Sequence, residues 1–401
     1  MTLVNARDVL VIGGYGAVGS VVCARLAQAV AGRVVPAGRS LAAAQEAARR
    51  IGSPRAERVD LADPATLDAA LVGVGLVVLA VEPGDDRVAR ACLARGVSLV
   101  DVSASRGQLE ATELLDEVAR EAGAAAVLSV GVAPGLTNLL ARRAHDLVGG
   151  AQEIDVAVVL GGGEAHGADA IRWTVDGLVG PRPDGGPRQV LLPALGRRTV
   201  HPFDFSDQHA LRRTLDVPRV TTRFALDSRV LTAALFGARR SGVLRAFRGA
   251  RGRRALAAVF GAVRVGGDRF ALAATARDGD RAAQVSLVAS GQGRVTGLVA
   301  AEVALAVLAG RVPPGVRHVE QVDGLADLPE RLVAAGGDAA VELFVDGVAA
   351  QSPAVVPVSR ALHIASQSSH EGPGGRASEA AVAGEPADAA ACASPASVTP
   401  R

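Results

Sequence analysis

Six residues near the N-terminus constrain the fold more than anything else in the chain: Gly14-Tyr15-Gly16-Ala17-Val18-Gly19. This G-x-G-x-x-G follows an apolar run at 9–13 and opens a helical stripe of Val18, Val22, Leu26 and Ala29. Strand, glycine turn and helix, in that order, are the context in which this spacing binds a dinucleotide. Gly14 is expected to make the tight turn, Gly16 to admit the pyrophosphate and Gly19 to let the helix lie on the sheet. The N-terminus of that helix would then meet the phosphates.

The same alternation continues. Further strands are expected at 33–37, 58–61, 76–81, 97–102 and 125–130. Helices are expected from 41 to Arg50, at 85–95 closed by Gly96, and at 108–122 closed by Gly123. Asp63-Pro64 supplies an N-cap and a first-turn proline for another. The run at 76–81 is apolar throughout, as a parallel strand covered on both faces must be. Six strand–helix repeats predict an α/β class: a Rossmann, doubly wound parallel sheet over residues 1–140.

Beyond Ile154 the rhythm changes. Strands are expected at 154–160, 219–226, 270–276 and 283–290, with a Gly/Pro loop at 180–187. This reads as a second, α+β substrate domain over 141–294. A helix at 296–309 is expected to return to the first domain, which the segment 295–320 completes. From 350 to 401 the chain is Ala, Ser, Pro, Gly and Glu without periodicity, which reads as a disordered tail.

Cofactor choice is set about 20 residues past the first glycine, at the end of the second strand. An acid there would hold a ribose 2′-hydroxyl. Here the segment is Ala37-Gly38-Arg39-Ser40, with no acid before Glu46. Arg39 can pair with a 2′-phosphate and Ser40 can donate to it, so the expected cofactor is NADP(H) rather than NAD(H). Asp60 and Leu61 end the third strand, where an adenine ring would lie; Asp60 reads equally as a turn acid. Val81, Glu82 and Pro83 end the fourth strand at the ligand crevice. Ser103, and Pro134 with Gly135 at the start of a helix, complete the expected cofactor contacts.

Composition excludes several chemistries. All 43 basic residues are arginine, so no lysine Schiff base, lysine general base or P-loop lysine exists. A Tyr–Lys pair of the short-chain dehydrogenase kind is impossible, and the single tyrosine lies in the phosphate loop. A net charge of +2 does not suggest nucleic acid as a partner. Cys23, Cys92 and Cys392 have neither disulfide nor metal spacing, and no metal site is expected. The apolar stretches at 69–81 and 295–310 fall short of the ~20 residues of a membrane span. The chain opens directly into a strand, so a cytoplasmic protein is the expectation.

Several segments together resemble the saccharopine dehydrogenase-like (saccharopine reductase-like) oxidoreductases. They are Val11-Ile12-Gly13-Gly14-Tyr15-Gly16-Ala17-Val18-Gly19, Ala37-Gly38-Arg39-Ser40 and Val97-Ser98-Leu99-Val100-Asp101-Val102-Ser103. Gly131-Val132-Ala133-Pro134-Gly135-Leu136-Thr137-Asn138 and the late helix with its Pro313-Pro314-Gly315 exit join them. The resemblance reaches to about Gly337 and is loose in the second domain. It implies hydride transfer between NAD(P) and a small metabolite, often at a C–N bond, and a substrate domain inserted before the returning helix. A non-catalytic dinucleotide-binding sensor is the other reading.

Candidates for the chemistry are Asp101 at the fifth strand's end, which reads equally as a loop-capping acid, His166 on the glycine-rich loop 161–167, and Arg223 as a clamp for a substrate carboxylate. His201, Asp204, Asp207 and His209 cluster in sequence, but their spacing matches no standard metal site. Residues 228–267 carry nine arginines and no acid. They read as a helix resting on an anionic membrane surface, a solvated face, or an anion-attracting wall. The expected partners are a small-molecule substrate and a second copy in a homodimer.

Overall fold

The computed structural model describes residues 7–163, 167–262, 266–334 and 342–346. The first half runs β1 (Asp8–Ile12), α1 (Ala17–Ala29), β2 (Val34–Gly38), α2 (Leu41–Arg50), β3 (Glu57–Arg58), α3 (Pro64–Ala70), β4 (Val74–Leu79), α4 (Arg87–Leu93), β5 (Ser98–Asp101), α5 (Arg106–Glu113), α6 (Asp116–Glu121), β6 (Ala125–Leu128) and α7 (Thr137–Val148). The second half runs β7 (Glu153–Leu160), α8 (Ala168–Val179), β8 (Arg188–Leu192), β9 (Gly196–Pro202), α9 (Ser206–Thr214), β10 (Arg219–Leu226), α10 (Arg229–Ser241), α11 (Ala250–Ala262), β11 (Arg269–Asp278) and β12 (Arg281–Ser290). The chain then returns through α12 (Gln292–Leu308), β13 (Gly315–His318), α13 (Leu328–Ala334) and β14 (Glu342–Asp346).

The first sheet has the order β13-β6-β5-β4-β1-β2-β3 and is parallel throughout. Apolar runs make its centre: β2 is buried along its length and β4 nearly so, because helices cover both faces. On one face α1 packs against α12, and Gly297 permits the contact. A Cβ there would lie 2.7 Å from Val21 Cβ and 2.9 Å from the Val18 carbonyl oxygen.

The second sheet has the order β14-β12-β11-β7-β10-β9-β8, with β7 and β10 parallel and its other pairs antiparallel. Period-two alternation divides β7. Ile154, Val156 and Val158 join a core that runs through α7 back to Val9 and Val11. Ala157 and Val159 face a smaller cluster with Ala225, Ala271 and Ala273.

Several expectations need correction. The third strand is only Glu57–Arg58, and the helix at 108–122 is two, α5 and α6. The segment 295–320 holds a strand as well as a helix: β13 hydrogen-bonds to β6. The β8–β9 hairpin carries no strong alternation and was not expected. The basic stretch is not one helix, because Gly242 adopts φ +85° after α10 and a 3-10 turn intervenes before α11. The tail at 350–401 lies outside the described residues.

Candidate functional site

The C-terminal ends of β1, β2, β4, β5 and β6 form one edge of the first sheet, where open α/β sheets bind ligands. The glycine loop sits on it, with its duties shifted by one residue. The left-handed turn is made by Gly13, φ +85°, beside Val81 and Ala80, and not by Gly14. Gly14 packs where a Cβ would lie 2.9 Å from Pro36 Cα and from the Val11 carbonyl oxygen. Gly19 has no room either, since a Cβ would come 2.2 Å from the Gly13 carbonyl oxygen. Gly16 differs: its Cβ would meet only Gly13 O, at 3.2 Å, and otherwise open space.

Gly16 caps α1 without a side chain, and the first turn of α1 carries no acid. Ser20 N–H is bonded to Gly16 O, so the N–H groups of Ala17, Val18 and Gly19 precede the helix's own ladder. This cradle fits a pyrophosphate.

At the end of β2, the Tyr15 ring lies against Gly38, and a Cβ on Gly38 would fall 2.6 Å from Tyr15 Cε1. Ser40 N–H donates to the Tyr15 hydroxyl at 3.0 Å, and Ser40 Oγ caps α2 by accepting from Ala43 N–H. Arg39 is exposed and forms no ion pair or hydrogen bond among the described residues. Its guanidinium is therefore available beside the adenosine end of the cradle. Asp60 is engaged differently. Its carboxylate accepts from Ala62 N–H at 3.2 Å and from Arg58 at 3.4 Å, which is the work of a turn acid. Leu61 packs against the core at that corner.

Glu82 follows β4 and is half-buried. It accepts from Ala104 N–H at 3.2 Å, and burial raises its pKa, with Arg172 of α8 opposing that rise from the second domain. Pro83 lies beside it, partly exposed. Asp101 does not face the crevice. It is fully buried, accepting from Ser103 N–H at 2.8 Å and Gln108 Nε2 at 3.2 Å. Ser103 Oγ accepts from the same Gln108 at 3.0 Å. Asp101 thus shapes the loop after β5 and does not touch a substrate.

The loop 131–136 is also built differently from an open helix start. Pro134 and Gly135 are buried. Gly135 N–H donates to Asn138 Oδ1 at 3.0 Å and Leu136 N–H to Gly131 O at 2.8 Å, so neither is left for a carboxylate. Asn138 in turn donates to Glu320 at 3.1 Å, which ties the loop to the returning segment. Sequence reading missed this, together with buried His318, which joins Ser129 Oγ at 2.7 Å and Glu113 at 2.8 Å. Their partners are too distant in sequence to be seen without the fold.

In the second domain Arg223 is no clamp. It is buried, with Nε 3.1 Å from Asp155 and Nη1 donating to Gly186 O at 2.5 Å. Arg188 and Arg277 share the same carboxylate. His166 lies outside the described residues. Asp204 pairs with His209 at 2.6 Å, and Asp207 is buried on Thr222 Oγ1 at 2.6 Å. Among the described residues no cluster of His, Cys, Asp or Glu is placed to hold a metal ion. No described helix is long and apolar enough to cross a membrane.

A parallel sheet bearing this cradle, with a second domain facing its edge, defines an NAD(P)-dependent oxidoreductase. Residues 9–130 match the family model described as the saccharopine dehydrogenase NADP binding domain. That match covers the first domain alone, and the cofactor it supports for the cradle is NADP. Among solved structures the chain is similar to apo saccharopine dehydrogenase (L-Glu forming) from Saccharomyces cerevisiae. The TM-score is 0.61 at 14% identity, covering 86% of this chain and 100% of that one. It is also similar to GenD2 from gentamicin A biosynthesis in complex with NAD, with TM-score 0.41, 17% identity, and 85% and 97% coverage. The Citrobacter sp. triphenylmethane reductase complexed with NADP(H) matches at TM-score 0.29 and 16% identity, over 65% and 90% of the two chains. No curated protein sequence matches.

Proposed function

We propose that the protein transfers a hydride between NADP(H) and the C–N bond of a small amine or imine, in the crevice between the β4–β5 edge and α8. When bound, NADP(H) supplies or accepts the hydride. The observation that carries the reading is Glu82, a half-buried carboxyl with a raised pKa on the cofactor side, acted on by Arg172 from the substrate side. Glu82 takes a proton from the substrate ammonium, which frees the nitrogen lone pair. Glu82 is then the neutral acid, and in the reducing direction it returns that proton to the nitrogen as the hydride arrives. Carbonyl reduction would need a donor for a developing alkoxide, and the Tyr–Lys pair that serves elsewhere is impossible in a chain without lysine. Arg172 stands where a substrate carboxylate could be held. The resemblance to saccharopine dehydrogenases supports the same bond type.

NADPH oxidation should be followed with keto acids and aldehydes, each with and without a primary amine. Consumption that requires both partners is expected, and Glu82→Gln should remove the alkaline limb of its pH profile. Consumption with the carbonyl alone would refute the C–N reading. No consumption with any pair, despite NADPH binding, would favour a sensor.

A further inference from the structure

A cavity of about 660 Å³ lies within the second domain, between the β8–β9 hairpin, α10 and the loop after α8. Its lining includes Arg182, Arg197, Arg198, Arg229, Arg239 and Arg240, and no carboxylate. None of these six forms an ion pair among the described residues, although most other arginines in the fold that line no cavity are paired. From this convergence of unpaired guanidinium groups we infer a second ligand site, for a small phosphate-bearing molecule with two or more negative charges. It is separate from the cofactor crevice, since no residue of the first sheet lines it.

Two arginines build the wall. Arg182 donates to the carbonyls of Arg239 and Arg240, at 2.6 Å each, at the C-terminus of α10. Arg239 donates to Gly177 O at 2.9 Å and Pro181 O at 3.0 Å and lies over the Phe203 ring at 5.4 Å. Both are fixed before any ligand arrives, and fixed donors lose little entropy on binding.

The other four face the opening. Arg198 and Arg229 each donate to the Arg197 carbonyl, at 3.3 and 3.0 Å, which holds their heads together. Burial and the charge of Arg229 lower the Arg198 pKa. The acid that acts on Arg198, Asp227, has its oxygens on Ser228 N–H and Gly267 N–H. Arg197 and Arg240 are exposed. Like charges gathered this way repel one another until a counter-charge is supplied.

The opposite wall is apolar. Phe236 stacks on His201 with ring centroids 4.1 Å apart and planes within 9°, and Leu226 and Ala233 adjoin it. Guanidinium forks for the phosphate and a flat apolar wall for the body match a phosphate ester in size and chemistry. A lipid headgroup would present the same phosphate, so the test separates a soluble ester from a bilayer.

Pyrophosphate binding is measured by calorimetry on the full chain with NADPH saturating, so that the cofactor cradle is filled. Vesicles of phosphatidylglycerol and phosphatidylcholine are tested in parallel by co-sedimentation. The double variant Arg197→Gln/Arg240→Gln changes two exposed side chains and should fold. The expected result is one pyrophosphate site, weakened at least about tenfold in the variant, with NADPH affinity unchanged. No pyrophosphate binding at millimolar concentration, or equal binding by the variant, would overturn the inference. Variant-sensitive vesicle binding without pyrophosphate binding would overturn it too, in favour of a membrane surface.

Discussion

Changing Arg39 to aspartate should separate the two nicotinamide dinucleotides cleanly. Arg39 is exposed at the end of β2 and has no partner to lose among the described residues, so its replacement leaves the fold unstrained. A charge-assisted hydrogen bond contributes about 1.5–3 kcal/mol, and each 1.4 kcal/mol is about tenfold in affinity. Exposure and salt screening favour the lower end of that range. The expected loss of NADPH affinity is therefore about tenfold to a hundredfold, shrinking as ionic strength rises. NADH lacks the 2′-phosphate and should change by less than about threefold. Titration of both cofactors by nucleotide fluorescence reads the difference directly. If both affinities fall together, the substitution has disturbed the cradle and Arg39 is not the selector. If neither moves, the 2′-phosphate is read elsewhere.

Two further outcomes follow from packing and burial. Gly297→Ala should lower stability by about 1–2 kcal/mol in urea unfolding, because its Cβ meets Val21 and a backbone carbonyl that cannot yield. Gly237→Ala in α10, where a Cβ meets nothing within 4 Å, should instead raise it by about 0.5–1 kcal/mol; equal effects would refute the close-approach account. Burial pushes the Asp207 carboxyl up to about 6, against the Thr222 and Thr137 hydroxyls that hold it down. Its folded pKa thus exceeds the unfolded value of about 3.9, so its contribution is full below pH ~4 and is lost as pH rises through 6. The gap of about two pH units is worth about 3 kcal/mol. Asp207→Asn should therefore gain on the wild type by up to that amount between pH 4 and 7.5. A pH-independent difference in unfolding free energy would refute it.

The first sheet was readable because its signals are local. A fixed glycine spacing, unbroken apolar strands and an N-cap before proline each lie within a few residues. The position of Arg39 just past β2 was readable for the same reason, and its role on the 2′-phosphate is what the Arg39→Asp titration tests. Arg223 was misread, and the two readings of Asp101 could not be separated, because a buried, saturated side chain and an exposed one look identical in sequence. The partner that occupies Arg223, Asp155, lies 68 residues earlier. Glu320, 182 residues from the Asn138 it holds, had no local signal at all. The shift of the turn from Gly14 to Gly13 shows the finer limit: adjacent glycines cannot be told apart until their φ angles are known.

The return of the chain through α12 and β13 has a consequence for synthesis. β6 ends at Leu128, but its outer neighbour β13 begins at Gly315. While the ribosome makes everything between, the nucleotide-binding sheet carries an open edge, a template for pairing with other chains. Its α1 face also lacks the α12 cover that Gly297 lets approach. Long-range closure of this kind is slow and exposes apolar surface in the interim. The cofactor half, first to emerge, is thus last to be finished. Chaperone dependence or aggregation of truncated chains should concentrate at that unfinished edge.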